Sequence, residues 1–239
     1  MIVGIIAEYN PFHNGHLYQI KKIRQQLGES TGIIACISGS FSQRGELPIL
    51  DKWQRAKLAV DNGVNLVLEL PTVFSSRSAQ HFAFGGVSLL DKLHIVDHLV
   101  FSTEYPDLAV LHAAADLNIE EHQSELQQLM KQGFSYASAA SQVISAHTDI
   151  PLEILKEPNT ILAIEYLRSL KKIKSSISPI AVQRTGAGHN DNIPTDNYAS
   201  GSAIRNMLCG NDLSSIKAVV PQNTYNQLYS IYGADNKMP

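Results

Sequence analysis

Two histidines spaced three apart, with a glycine between them, are the residues of this chain best suited to chemistry on phosphate. They lie in EYNPFHNGH, residues 8–16, as His13, Gly15 and His16. At the start of a helix, a separation of three puts both imidazoles on one side, where they can face one phosphate chain. Neither has a Ser or Cys partner in the sequence that would make a triad. Their expected role is to donate hydrogen bonds to phosphate oxygens as charge builds in a transition state. Gly15 lets the backbone come close to a ligand. A second string, YASGSAIR (198–205), offers Ser200 as an N-cap, with Gly201 and Ser202 as further donors. Arg205 follows on the same turn, where its fork of donors could hold phosphate. Alone, this string reads as a helix cap. Beside HNGH it reads as a second phosphate clamp.

The elements that must position these residues alternate between strand and helix. Ile2 to Ala7, Gly32 to Ser38, Asn65 to Leu70 and His98 to Ser102 are short apolar runs rich in β-branched residues, as in strands buried on both faces. Ile177 to Gln183 is a fifth, with Pro179 favouring an edge position. Helical spacing marks His16 to Leu27, a helix capped by Asp51 and running to Asn62, Ser78 to Leu93, and Asn159 to Lys171. The alternation predicts an α/β, doubly wound, Rossmann-like parallel sheet. HNGH then sits where the first strand hands over to the first helix, at the edge where open parallel sheets bind ligands. From Asp107 to about 157 the pattern is helical without a strand, which predicts a helical insertion. Residues 1–210 are expected to form a phosphate-ligand-binding domain and 211–239 a short, reduced C-terminal helical segment with a fraying tail.

Composition narrows the class. The chain has 239 residues, 44% hydrophobic and 17% charged, which excludes a disordered protein. Two cysteines, Cys36 and Cys209, argue against a disulfide scaffold or a four-thiolate zinc site. Cys36 lies in an apolar run and is expected in the core. No apolar stretch reaches ~18 residues and the start lacks a basic region, so a cytoplasmic protein with no membrane partner is expected. A net charge of -3 does not favour a nucleic-acid-coated protein. The clusters Lys21, Lys22, Arg24 and Lys171, Lys172, Lys174 read as solvated helix ends.

The strings EYNPFHNGHLYQI, SGSFSQRGE, DKWQRAKLA, NLVLELP, SAQHFA, EPNTILAIEYL, RTGAGHND and YASGSAIR run in order from near the N-terminus to residue 205. HNGH with the Ser-rich turn resembles the HxGH nucleotidyltransferase superfamily, and the full set resembles the bacterial tRNA(Met) cytidine acetate ligase family. The resemblance implies activation of acetate by ATP to acetyl-adenylate, then acetyl transfer to N4 of the wobble cytidine of elongator tRNA(Met). It implies nucleotide contacts at Ile6, Ala7, Glu8, Tyr9, Asn10, Pro11, Phe12, His13, Asn14, Gly15, His16, Leu17, Tyr18 and Gln19, and at Asn159 and Arg184. Ser102 stands in FSTE where the family usually has the glycine of FGSE, and Asn190 stands where a second histidine would follow His189. The site expected on all these grounds has His13, His16 and Arg205 as catalytic residues, with Ser102, Ser200 and Ser202 added to the nucleotide contacts. The partners expected are ATP, acetate and elongator tRNA(Met), with a homodimer as a candidate assembly. Relatives continue past YASGSAIR, so a chain without that region is expected to adenylate acetate, with transfer in question.

The other polar residues point less sharply. Ser38 to Phe41 and Gln43 to Glu46 follow the second strand at the ligand edge, where Arg44 could approach phosphate or tRNA. Lys52 and Arg55 are expected on the surface, Glu69 in a buried polar role, and His112, His122 and His147 as ordinary surface residues. Ser78 and His81 begin a helix at a strand's carboxyl end, where a metal or phosphate role is open. No zincin-like spacing is present, so no dedicated metal site is expected, and Mg2+ would arrive with ATP. Two other readings stay open: an adenylyltransferase for a different small acceptor, and an ATP- or RNA-binding module without turnover.

Overall fold

The β-branched runs pair as five parallel strands: β1 (Ile2–Ala7), β2 (Gly32–Ser38), β3 (Leu66–Leu70), β4 (His98–Thr103) and β5 (Ser178–Gln183), in the order β3-β2-β1-β4-β5. The computed structural model describes residues 1–148, 150–184 and 197–233. The helices are α1 (Asn14–Leu27), α2 (Lys52–Asp61), α3 (Thr72–Ser75), α4 (Ala79–Asp91), α5 (Leu108–Asp116), α6 (Gln123–Lys131), α7 (Tyr136–His147), α8 (Leu152–Lys156), α9 (Pro158–Ile173), α10 (Gly201–Cys209), α11 (Leu213–Val219) and α12 (Gln222–Tyr232). The doubly wound α/β fold read from the alternation is the fold observed. Pro179 lies on β5, an edge strand, where its missing N–H breaks no ladder inside the sheet.

Strand alternation sends successive side chains to opposite faces, and each face has its own core. Val3, Ile5, Ile33, Ala35 and Ile37 pack with residues of α1, α2, α10, α11 and α12. Ile6, Ile34, Cys36, Leu99 and Phe101 pack with α4, α5 and α9. The second face is tight: a Cβ on Gly86 of α4 would lie 2.7 Å from Cδ1 of Ile6. Cys36 is fully buried, and burial pushes its thiol up to about 12, so it is an inert core residue.

Three expectations need correcting. The first is that β3, read as buried on both faces, is an edge strand that exposes Leu66. Arg55 is completely buried, because its guanidinium is the donor that four oxygens, one at the end of β2 and three in the loops after β1 and β2, converge on. Glu69 is exposed, because edge strand β3 turns it outward to pair with Lys52 at 2.6 Å. The single turns α3 and α8 and the 3-10 turn Ile119–His122 gave no sequence signal, being shorter than the window over which helical period accumulates. The expected fraying tail lies outside the described residues, beyond position 233.

Candidate active site at the switch point of the sheet

Sheet order reverses at β1, and this is where the site forms. β1 pairs with β2 from Ile2↔Gly32 to Ala7↔Ile37, but with β4 only at Val3↔His98 and Gly4↔Leu99. Beyond Gly4 the two central strands part. Crossovers leave toward opposite faces here, so the carboxyl ends of β1 and β4 frame a cleft. A cavity of about 400 Å³ occupies it, within the range for small-molecule sites. Its walls include Ile6 and Ala7 from β1 and Phe101 and Ser102 from β4.

The head of α1 forms one end. His13 is the N-cap; its Nδ1 accepts from Gly15 N–H at 3.0 Å, and Nδ1 of His16 accepts from His13 N–H at 3.2 Å. A reciprocal cap of this kind is normally built from Ser or Thr and Glu; here two imidazoles build it. The backbone N–H groups of His13, Gly15, His16 and Leu17 are thereby taken, since the last two go to the His13 carbonyl. At these four positions a ligand meets the ring nitrogens of His13 and His16 and no bare amide. With each Nδ1 accepting, the proton of each neutral ring resides on Nε2, and both rings line the cavity. Gly15 is required by contact: a Cβ there would lie 2.8 Å from Cε1 of His13.

Both rings are held neutral. Burial, reinforced by the charge of Arg184, lowers His13 to about 3. Burial, then His13 and Arg184, keeps His16 well below its ordinary value. The rings stack at 3.7 Å between centroids, and Tyr9 and Phe12 pack against His16.

Close to the head of α1 lies the head of α10, where a Cβ on Gly201 would come within 2.9 Å of the Asn10 carbonyl oxygen. Ser200 caps it by accepting from Ala203 N–H at 3.1 Å, and Gly201 and Ser202 occupy its first positions, whose N–H groups have no intrahelical acceptor. Arg205 ties the loop before α1 to the head of α10: its guanidinium donates to the Asn10 carbonyl at 2.9 Å and to Ser202 Oγ at 3.2 Å. A third wall comes from β5 and α9 through Arg184 and Asn159. One carboxylate positions both, since Glu104 accepts from Asn159 Nδ2 at 2.5 Å and lies 3.6 Å from Arg184 Nε.

Of the residues expected to contact nucleotide, Ile6 through Pro11, His13, Gly15, His16, Tyr18, Gln19, Ser102, Asn159, Arg184, Ser200, Ser202 and Arg205 come together on the cavity wall. Phe12, Asn14 and Leu17 do not. Phe12 is fully buried in the core and Leu17 packs against it, while Asn14 donates to the carbonyls of Asn197 and Ala218 at 2.9 and 3.0 Å. A run taken whole from one motif necessarily includes the residues on the helix's other face. Asn190 and the rest of RTGAGHND after Arg184 lie outside the described residues. Arg44 and Glu46 also line the cavity. Ser78 Oγ lies 2.9 Å from His81 Nδ1, an exposed pair.

Two positioning residues escaped the sequence reading. Glu104 was visible merely as part of FSTE. Arg55 donates to the carbonyls of Glu8 at 2.6 Å, Leu50 at 3.1 Å and Gly39, and to Ser38 Oγ at 3.3 Å, so it ties the loop after β1 to the loop after β2. Burial lowers its guanidinium below the usual value, against the raising influence of Glu8, Asp51 and Glu69.

A parallel sheet with a paired-imidazole cap after its first strand and a second helix head beside it at the cleft defines a nucleotidyltransferase fold of the HxGH type. The family model described as HIGH Nucleotidyl Transferase matches residues 1–237, and the chain belongs to that family. Among its relatives are proteins named tRNA(Met) cytidine acetate ligase: one from Clostridium kluyveri is 43% identical over 93% of this chain and 57% of its own length. Another from Clostridium novyi is 39% identical over 98% of this chain and 60% of its own length. The crystal structure of apo Thermotoga maritima TmcAL superposes with a TM-score of 0.87 at 34% identity, covering 96% of this chain and 56% of the other. TmcAL bound with alpha-thio ATP gives 0.84 at 33%, covering 96% and 55%. The chain thus spans somewhat over half the length of the relatives it matches. Among the described residues, no helix is long and apolar enough to cross a membrane.

Proposed function

We propose that this chain activates acetate with ATP to acetyl-adenylate and passes the acetyl group to N4 of the wobble cytidine of elongator tRNA(Met). The observation that carries this reading is the pair of neutral imidazoles, His13 and His16, whose Nε2–H groups are left to the cavity between α1 and α10. Relatives named for that ligase reaction, and a structural neighbour bound with alpha-thio ATP, support it.

In the first step an acetate oxygen attacks the α-phosphorus of ATP. The bond from that phosphorus to the bridging oxygen breaks, and pyrophosphate leaves with the electron pair. Negative charge grows on the phosphate oxygens, where His13, His16, Arg184 and Arg205 supply donors fixed before the reaction. Rings that stay neutral keep this donor pattern unchanged near neutral pH. Asn159 and the first N–H groups of α10 hold the nucleotide. In the second step the cytidine N4 attacks the acetyl carbonyl, AMP leaves with the electron pair, and the amine loses a proton to solvent.

Mg2+ would enter with ATP and offset the charge of its phosphates. The described cavity wall offers it two carboxylates, Glu8 and Glu46, and no closed cage, a donor set that suits an ion held largely by phosphate oxygens and water. The same reading takes residues 1–210 as the ATP-binding unit, 211–239 as a short C-terminal helical segment, and the cytoplasm as the place of action. It leaves a homodimer to be tested by size-exclusion chromatography. Incubation with ATP, Mg2+, acetate and unmodified elongator tRNA(Met), followed by mass spectrometry of the digested tRNA, tests the whole reaction. N4-acetylcytidine is expected; pyrophosphate release without it overturns the transfer half.

A further inference from the structure

The helices between β4 and α9 bring together three side chains that the sequence leaves far apart. His122 ends the 3-10 turn Ile119–His122, Glu125 lies in the first turn of α6, and His147 ends α7. His147 Nε2 is 2.8 Å from Glu125 Oε2, and the His122 and His147 rings lie 3.9 Å apart between centroids at 34°. One ligand atom from each falls within 4.8 Å of the other two. We propose that His122, Glu125 and His147 form a surface site for one Zn2+-type transition ion that staples α6 to α7.

The donor set argues for the ion's class. Two imidazoles with one carboxylate are the ligands of open zinc sites, in which water fills the remaining position. Around a tetrahedral zinc with bonds of about 2.1 Å, ligand atoms sit about 3.4 Å apart, so the three groups need draw in by little more than 1 Å at most. They have room to do so, since His122 and Glu125 are half-buried and His147 is exposed. Binding would replace the Glu125–His147 hydrogen bond and leave Glu125 and His147 as ligands.

The packing supplies an independent reason for a staple. The core shared by α6 and α7 consists of buried Leu126, Ala139, Ala140 and Val143, with Leu117, Ile119 and Leu129 packed against it. Two of the four buried residues are alanines. A lobe with so little apolar surface gains from a cross-link in the way small domains do. The ion would hold the end of α7 to the start of α6.

The test is zinc binding by the intact protein in a non-chelating buffer, read by equilibrium dialysis with metal analysis. One equivalent is expected, retained in His16→Ala and lost in both His147→Ala and Glu125→Gln. Saturating zinc should raise the melting temperature by about 5 °C in the native chain, and not in either variant. Binding unchanged by both substitutions, or no binding, overturns the proposal. Co2+ added to the native protein serves as a check that needs no variant. Visible bands of a tetrahedral nitrogen–oxygen site are expected, and a spectrum like that of aqueous Co2+ overturns the site.

Discussion

The imidazoles of His13 and His16 stack 3.7 Å apart while each Nδ1 accepts a backbone N–H of the same helix start. One arrangement thus serves two ends. The Nδ1 atoms cap α1, and the same bonds fix the tautomer that leaves both Nε2–H groups to the ligand. The two uses can be separated by mutation.

His16→Ala removes one donor to the transition-state charge. Acetate-dependent pyrophosphate release should fall about 10²–10³-fold, or about 2.7–4 kcal/mol. His13→Asn keeps an acceptor for the Gly15 N–H and should lose activity with an unchanged melting temperature. His13→Ala loses the cap as well and should cost about 0.5–2 kcal/mol of stability. Full pyrophosphate release in His16→Ala would remove the role assigned to the pair.

Stability should fall on acidification through this same pair. A histidine with a lowered native value binds its proton in the unfolded chain first, so stability rises with pH between the two values. For His13 that window runs from about 3 to the ordinary 6.5. The native chain should therefore lose melting temperature between pH 6.5 and 4 more steeply than the double variant His13→Asn, His16→Asn. Parallel profiles would contradict the buried neutral rings.

Arg55 predicts a structural effect at a distance from the chemistry. Arg55→Met keeps the apolar stem but strands the buried carbonyls of Leu50, Glu8 and Gly39. At about 1–3 kcal/mol for each unsatisfied buried group, denaturant unfolding should show a loss of at least about 3 kcal/mol. A loss below 1 kcal/mol would mean that water replaces the guanidinium.

Glu104 predicts a split between binding and turnover. Glu104→Gln keeps the shape but weakens the hold on Asn159 and Arg184, which line the cavity from two different elements. KM for ATP should rise several-fold with little change in kcat, and Glu104→Asp should restore less than the native carboxylate. A fall in kcat with KM unchanged would place Glu104 in the chemistry instead.

The alternation of apolar runs with helical spacing made the sheet legible, since each run is short and the central strands β1, β2 and β4 are buried on both faces. The histidine pair was legible because its spacing and its place after β1 fall in one continuous string. Arg55 and Glu104 were not, because their roles come from loops and strands brought together by the fold: Arg55 reaches Glu8, 47 positions away, and Glu104 reaches Asn159, 55 away. Phe12, Asn14 and Leu17 show the converse limit, since a motif names residues in sequence while the turn before α1 and the helix itself send their side chains in different directions. His122 and His147 looked scattered because an α-hairpin, and not local spacing, stacks them.

Acetate-dependent release of pyrophosphate from ATP and Mg2+, measured on this chain without tRNA, bears most directly on the adenylation claim. The account predicts release that requires acetate and is lost in His16→Ala. Release that is indifferent to acetate, or tight ATP binding with no release at all, would contradict it.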